Sequence, residues 1–138
     1  MTERGIVCDT NVIVSALLMK QSTARRAFDK ALSEGTLLLS AASLAELDDV
    51  LKREKFNKYV RPKERLQFLT AFVRVAKVIE THETISACRD PKDDKFLEVA
   101  VNGKAACIIS GDHDLLVLHP FQGIAIITPH AFLQYIWI

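Results

Sequence analysis

The sequence predicts an α/β fold, a three-layer α/β/α sandwich around a mainly parallel sheet of four to five strands. Three observations predict it. Short β-branched apolar runs alternate with longer segments of helical periodicity along the chain. The strand runs are apolar without alternation, as strands buried on both faces are. Each is followed by a stretch long enough to cross over, and right-handed crossovers put helices on both faces of one sheet.

Taken in order, Ile6-Val7-Cys8 is a buried strand cut off by Asp9. Helical spacing runs from Val12 to Leu18 and from Thr23 to Leu32, with Ala24, Ala27, Phe28 and Ala31 on one stripe. Gly35 then stops the helix as a C′ glycine. Thr36 to Leu39 is a second strand, followed by a helix from about Ala42 to Lys55. Pro62 suits the first turn of a third long helix reaching about Lys77, with Leu66, Leu69, Phe72, Val73 and Ala76 as its apolar stripe. Val78-Ile79 is a short third strand, and a helix from about Lys92 to Asn102 is closed by Gly103. Ala106 to Ile109 and Ile124 to Thr128 are the fourth and fifth strands, and a short helix starts at Pro129.

Composition bounds the classes. The chain has 138 residues, 49% hydrophobic and 25% charged, and is expected to be a single domain over 1–138. A core of that size needs no disulfide or structural metal. High apolar content with a net charge of +1 excludes disorder. No apolar run is long enough to span a membrane, and Met1 to Gly5 fits no signal peptide. Cys8, Cys88 and Cys107 lack the spacing of a disulfide framework or zinc site, so a reducing cytoplasm is expected. The small net charge hides an uneven distribution. Seven basic residues lie between Lys52 and Arg65, and six acidic ones between Asp90 and Asp114.

In open parallel sheets, sites form outside the carboxyl ends of the strands. Asp9 and Asp112 lie just beyond the first and fourth strands, and helices starting at the same edge carry Glu46 and Asp93. Four carboxylates on one edge repel unless a cation joins them. Oxygen-only donors suit Mg²⁺ or Mn²⁺, and the four histidines make no paired metal-ligand spacing. A carboxylate site with such an ion points to phosphoryl chemistry. Each residue also has a plainer role. Asp9 can cap a helix, Ser43 and Glu46 match a capping box, Asp93 and Asp94 suit a helix N-terminus, and Asp112 and Asp114 suit a turn.

These residues carry a resemblance. Ile6 to Ala16 (IVCDTNVIVSA) resembles the opening motif of PIN-domain ribonucleases, and Leu44-Ala45-Glu46-Leu47 their second acidic position. Asp90 to Ala100 (DPKDDKFLEVA) resembles the segment bearing the third, and Ile108 to Leu116 (IISGDHDLL) the fourth. All four occur in the family's order. The resemblance implies a Mg²⁺- or Mn²⁺-dependent endoribonuclease with Asp9, Glu46, Asp93 and Asp112 as catalytic and metal-binding residues. Thr10, Asn11, Asp90, Asp94, Ser110 and Asp114 would support them. Asp93 and Asp94 compete for the third position, and Asp93 is preferred because Phe96 and Ala100 then fall at the family's offsets.

Chains of this size with these motifs resemble VapC-like toxins of type II toxin–antitoxin pairs, which implies an RNA substrate and a small antitoxin partner. A catalytically silent RNA-binding or protein-interaction module is the alternative. Dehalogenase-like phosphatases and receiver domains are disfavoured, since Asp9-Thr10-Asn11 lacks a second aspartate and Thr128-Pro129-His130 lacks the receiver lysine. Lys52, Arg53, Lys55 and Lys58 are expected to follow the RNA backbone. The apolar tail from Ala131 to Ile138 either packs on its own core or forms a homodimer surface.

Overall fold

The computed structural model describes residues 4–137. Its strands are Gly5–Cys8 (β1), Thr36–Leu39 (β2), Lys77–Val78 (β3), Cys107–Ile109 (β4) and Ala125–Ile127 (β5). They form one sheet in the order β3-β2-β1-β4-β5, and every pairing is parallel. Parallel neighbours need crossovers. Thr10–Leu18 (α1) and Thr23–Glu34 (α2) join β1 to β2, while Ala41–Leu51 (α3) and Pro62–Val75 (α4) join β2 to β3. Asp94–Asn102 (α5) leads into β4, and His113–Leu116 (α6) and Pro129–Leu133 (α7) follow β4 and β5.

Alternate strand residues feed two cores. Ile6, Cys8, Leu37, Leu39, Cys107 and Ile109 meet α1, α2, α3, α4 and α7 on one face. Val7, Leu38, Ile108 and Ile126 meet α5 and Leu115 of α6 on the other. This is the predicted three-layer sandwich. The chain leaves β1 toward β2 and returns on its other side at β4. The topological switch point is therefore the crevice between the carboxyl ends of β1 and β4. No helix among the described residues is long and apolar enough to cross a membrane. Burial pushes the Cys8 and Cys107 thiols up, Cys107 to about 12, so both behave as small apolar core residues.

Several expectations are corrected. The helix after β2 ends at Leu51, and Glu54–Phe56 forms a separate 3₁₀ turn. The α4 stripe holds in part: Phe72 is buried and Leu69 and Ala76 pack against the core, but Leu66 and Val73 are exposed, Leu66 by 61%, and Arg65 and Phe68 take the packed face instead. Phe68 and Phe72 lie 5.8 and 5.6 Å from Phe28, centroid to centroid. Arg65 is buried because its guanidinium donates to the carbonyls of Leu51, at 2.6 Å, and Val60, and to Asn57 Oδ1 at 2.8 Å. Gly35 ends α2 in extended backbone, with φ of −160°, rather than in the left-handed region. Close approach explains it, since a Cβ there would lie 2.6 Å from the Arg4 carbonyl oxygen.

The tail packs on its own core. Phe132 is buried, and Tyr135 and Trp137 cover the same cluster. Lys30 Nζ donates to the carbonyls of Phe132 and Tyr135 at 2.7 and 2.8 Å, and Trp137 Nε1 donates to Glu34 Oε1 at 2.7 Å. Ile138 lies outside the described residues.

Candidate active site

Asp9 follows β1 directly and caps α1, with Oδ1 accepting from the Val12 amide at 2.9 Å. Its other oxygen accepts from the hydroxyl of Ser110, the residue after β4. Ser110 Oγ also accepts from the Asp112 amide at 2.9 Å. One fully buried hydroxyl therefore ties Asp9 to the Asp112 turn across the switch point. Capping and facing the cleft are compatible for Asp9. Burial pushes its carboxyl up, and the Ser110 hydroxyl and Val12 amide oppose that.

Asp112 caps α6, accepting from the Asp114 amide at 2.9 Å. One carboxylate oxygen from each of Asp93, Asp112 and Asp114 lies within 4.8 Å of the others. Asp93 is pushed up to about 7 by burial, by a hydrogen bond and charge from Asp112, and by the charges of Asp90 and Asp114. Asp114 escapes that rise because Arg89 donates to it at 2.9 Å and holds its carboxyl below the usual range. Asp90 caps the 3₁₀ turn Pro91–Asp93 through the Lys92 amide at 3.0 Å. Asp94 turns inward instead. Burial alone would raise it, but the Cys88 and Ala87 amides, at 2.8 and 3.0 Å, hold its carboxyl below the usual range.

Glu46 is not a cap. The capping box of α3 is made by Ser40 and Ser43, each hydroxyl accepting the other's amide at 3.0 and 2.9 Å. The box expected at Ser43 and Glu46 is thus one turn too late. Glu46 accepts from the Thr10 hydroxyl on one oxygen and from Lys95 Nζ, at 2.7 Å, on the other.

Asp9, Thr10, Asn11, Glu46, Asp90, Asp93 and Asp112 all line one cleft of about 460 Å³ at the switch point, together with Asp49, Val50, Arg53, Lys92 and Phe96. Asp94 and Ser110 lie behind its wall, and Asp114 touches only the Asp93–Asp112 end. Every acidic donor is a carboxylate and no histidine lines the cleft. Crowded oxygen donors, one of them pushed up to about 7 by burial and by its acidic neighbours, fit a hard divalent ion.

A model of the PIN domain family matches residues 5–114, a span that contains Asp9, Glu46, Asp93 and Asp112. The chain belongs to the PIN domain family. An uncharacterised protein of Methanocaldococcus jannaschii is 36% identical over 115 residues, covering 82% of this chain and 74% of that one. VapBC2 of Rickettsia felis, bound to a DNA fragment from its promoter, superposes with a TM-score of 0.60 at 13% identity, covering 90% of this chain and 98% of that one. VapC20 of Mycobacterium tuberculosis, described as a sarcin-ricin loop cleaving toxin, superposes with a TM-score of 0.54 at 12% identity, covering 87% and 98%. These likenesses show the PIN fold.

Sequence reasoning missed three residues of this PIN site. Asp49 stands three residues after Glu46 on α3, a spacing that signals a shared helix face. Lys95 and Arg89 gave no such signal, because their carboxylate partners lie 49 and 25 residues away. The basic stretch also divides. Lys52 pairs with Asp48 at 2.8 Å, Arg61 with Glu64 at 2.9 Å, and Arg65 is buried. Arg53 lines the acidic cleft, 3.6 Å from Asp49.

Proposed function

We propose that this PIN domain is a Mg²⁺- or Mn²⁺-dependent endoribonuclease that hydrolyses RNA phosphodiester bonds and serves as the toxin of a toxin–antitoxin pair. The carrying observation is the convergence of Asp9, Glu46, Asp93 and Asp112 on one cleft at the switch point. The description of VapC20 as a sarcin-ricin loop cleaving toxin supports the class.

Asp93 and Asp112, with Asp9 behind them, would hold the ion, and Asp114 and Asp90 would complete the negative charge around it. A bound ion would offset the charge of the scissile phosphate and lower the pKa of a nearby water. Glu46, fixed by Thr10 and Lys95, would orient the attacking water and accept its proton on a carboxylate oxygen. Ser110 and Asp94 do not reach the cleft: Ser110 positions Asp9 and Asp112, and Asp94 anchors the segment before Asp93. Asn11 lines the cleft as a hydrogen-bonding group for phosphate. Lys55 and Lys58 track the RNA backbone, while Arg53 lines the cleft paired with Asp49 and Lys52 is held by Asp48, so these two contribute less. The protein acts in the cytoplasm as one nuclease domain, as a homodimer held by a small antitoxin.

The test is cleavage of a panel of cellular RNAs with Mg²⁺, Mn²⁺ or chelator. Cleavage only with metal, lost in Asp9→Asn and Asp93→Asn proteins that stay folded, is expected. Full activity in chelator would sink the mechanism. Folded, metal-binding protein that cleaves nothing would favour a silent RNA-binding or interaction module.

A further inference from the structure

We propose that the Lys95 ammonium takes the place of a second divalent cation in the cleft, so that the site loads with one metal ion. The first ion, on the Asp93–Asp112 side, rests on the nuclease reading above.

The cleft has two unequal ends. At one, the Asp93, Asp112 and Asp114 oxygens crowd within 4.8 Å, and the cation nearby, Arg89, bonds only Asp114. Lys92 and Arg53 line the same cleft, but among the described residues no cation is paired with Asp93 or Asp112. At the other end, both Glu46 oxygens already have donors, Thr10 Oγ1 on one and Lys95 Nζ on the other. The Lys95–Glu46 pair is sheltered, with side chains 20% and 28% exposed, whereas the Lys52–Asp48 pair on the same helix is 71% and 39% exposed. Shelter strengthens the pairing because solvent screens it less.

Placement on the chain explains the division. Asp93 ends the 3₁₀ turn, and Lys95 is the second residue of α5, which opens at Asp94, so one short segment supplies a carboxylate to one end of the cleft and an ammonium to Glu46 at the other. An ammonium is a compact point charge. At 2.7 Å from Glu46 it fills the direction in which a cation would approach that carboxylate, and it repels a divalent ion placed there. Without it, Glu46 would keep only the Thr10 hydroxyl. Asp49 of the same helix, in an exposed pair with Arg53 at 3.6 Å, and Asp9 line the same cleft and would supply further oxygens. Such a set is one a hard divalent ion accepts.

Counting ions tests this without RNA. Metal-stripped protein is titrated with Mn²⁺, with calorimetry and electron paramagnetic resonance as readouts. Wild type and Lys95→Arg are expected to bind one ion each. Lys95→Met is expected to bind two, with a spectrum broadened by the neighbouring ion, and the added change Glu46→Gln should return the count to one. Should Lys95→Met fail to fold, Lys95→Gln removes the same charge and is read the same way. Two ions in wild type, or one in a folded variant lacking the ammonium, overturns the proposal. RNA cleavage measured in parallel keeps the readings apart. A wild type that binds one Mn²⁺ and cleaves nothing ends the nuclease reading alone, whereas a cleaving wild type with two ions ends this one alone.

Discussion

Asp93 and Asp94 are consecutive in the chain, yet their carboxylates serve opposite environments. Asp94 is buried and accepts the backbone amides of Ala87 and Cys88, while Asp93 lines the cleft against Asp112. The same segment that crowds one carboxylate among like charges supplies the other with amide donors. Their titration shifts run in opposite directions for that reason: Asp93 up to about 7, Asp94 down.

Stability of the metal-free protein should therefore respond to the two positions with opposite signs. Asp93 has a folded pKa above its unfolded one, so its contribution is fully present below the unfolded value and is lost as pH rises through about 7. Asp93→Asn should raise the metal-free Tm at pH 8 and flatten its decline between pH 5 and 8. Asp94 has a depressed folded pKa, so its contribution is present at neutral pH and lost as pH falls through that value. Asp94→Ala should cost about 2 kcal/mol at pH 8, because two amides lose a charged acceptor. Thermal melts of the two proteins in chelator decide it, and equal shifts of one sign would show that the neighbours do not divide the work.

Glu46 separates charge from shape. With the α3 capping box made by Ser40 and Ser43, Glu46→Gln removes no cap, and its amide can still meet Thr10. Metal-free Tm should fall by only a few degrees, because the sheltered Lys95 ammonium loses its charge partner while the fold keeps its cap. RNA cleavage should fall at least about tenfold, equivalent to roughly 1.4 kcal/mol of barrier, because the amide cannot accept a proton from water. Undiminished cleavage would remove Glu46 from the site.

The tail gives a prediction about mass as well as stability. Trp137 donates to Glu34 and packs edge-on against Phe132 at 6.1 Å. Trp137→Glu exchanges that packing for a carboxylate beside Glu34, and should lower stability by about 2 kcal/mol. Light scattering should give the same oligomeric mass for variant and wild type. A dimer that dissociates on this change would return the tail to the interface.

The strands and the order of elements were legible because both rest on local signals, apolar β-branched runs and the caps and breakers between them. The sheet edge that gathers Asp9, Glu46, Asp93 and Asp112 followed from parallel topology alone, since every βα junction opens on that side. Pairings across the sheet were not legible. Lys95 meets Glu46 and Arg89 meets Asp114 only through tertiary packing, and no spacing announces them. Arg65 shows the same limit in reverse: hydropathy sends an arginine to solvent, while the carbonyls of Leu51 and Val60 draw it inside. The terminal glycine correctly marked the end of α2 at Gly35, but the reason is close approach to Arg4 and Ile6 rather than a left-handed backbone.

The last prediction concerns the basic stretch, whose members the fold has divided. Lys52 is paired with Asp48, and Arg53 faces Asp49 in the cleft, so neither charge is free for phosphate without losing a partner. Lys55 and Lys58 are exposed and sit 5.2 Å from the rings of Phe56 and Tyr59, with Tyr59 itself 65% exposed. An ammonium beside an open ring is suited to a single strand, whose phosphates meet the charge while a base stacks on the ring. Arg53, two residues before Lys55, lines the cleft. Each phosphate neutralised on a single strand contributes about 0.7 to the slope of log affinity against log salt. Changing both Lys55 and Lys58 to Glu should therefore flatten that slope by roughly 1.4 and weaken binding of mixed-sequence single-stranded RNA without selecting among sequences. Lys52→Glu should change the slope by much less, since that lysine already answers a carboxylate. Fluorescence anisotropy in chelator, across a salt series, measures all three without cleavage. If the double variant keeps the wild-type slope, the segment is an ordinary solvated surface and the RNA leaves the cleft by another side.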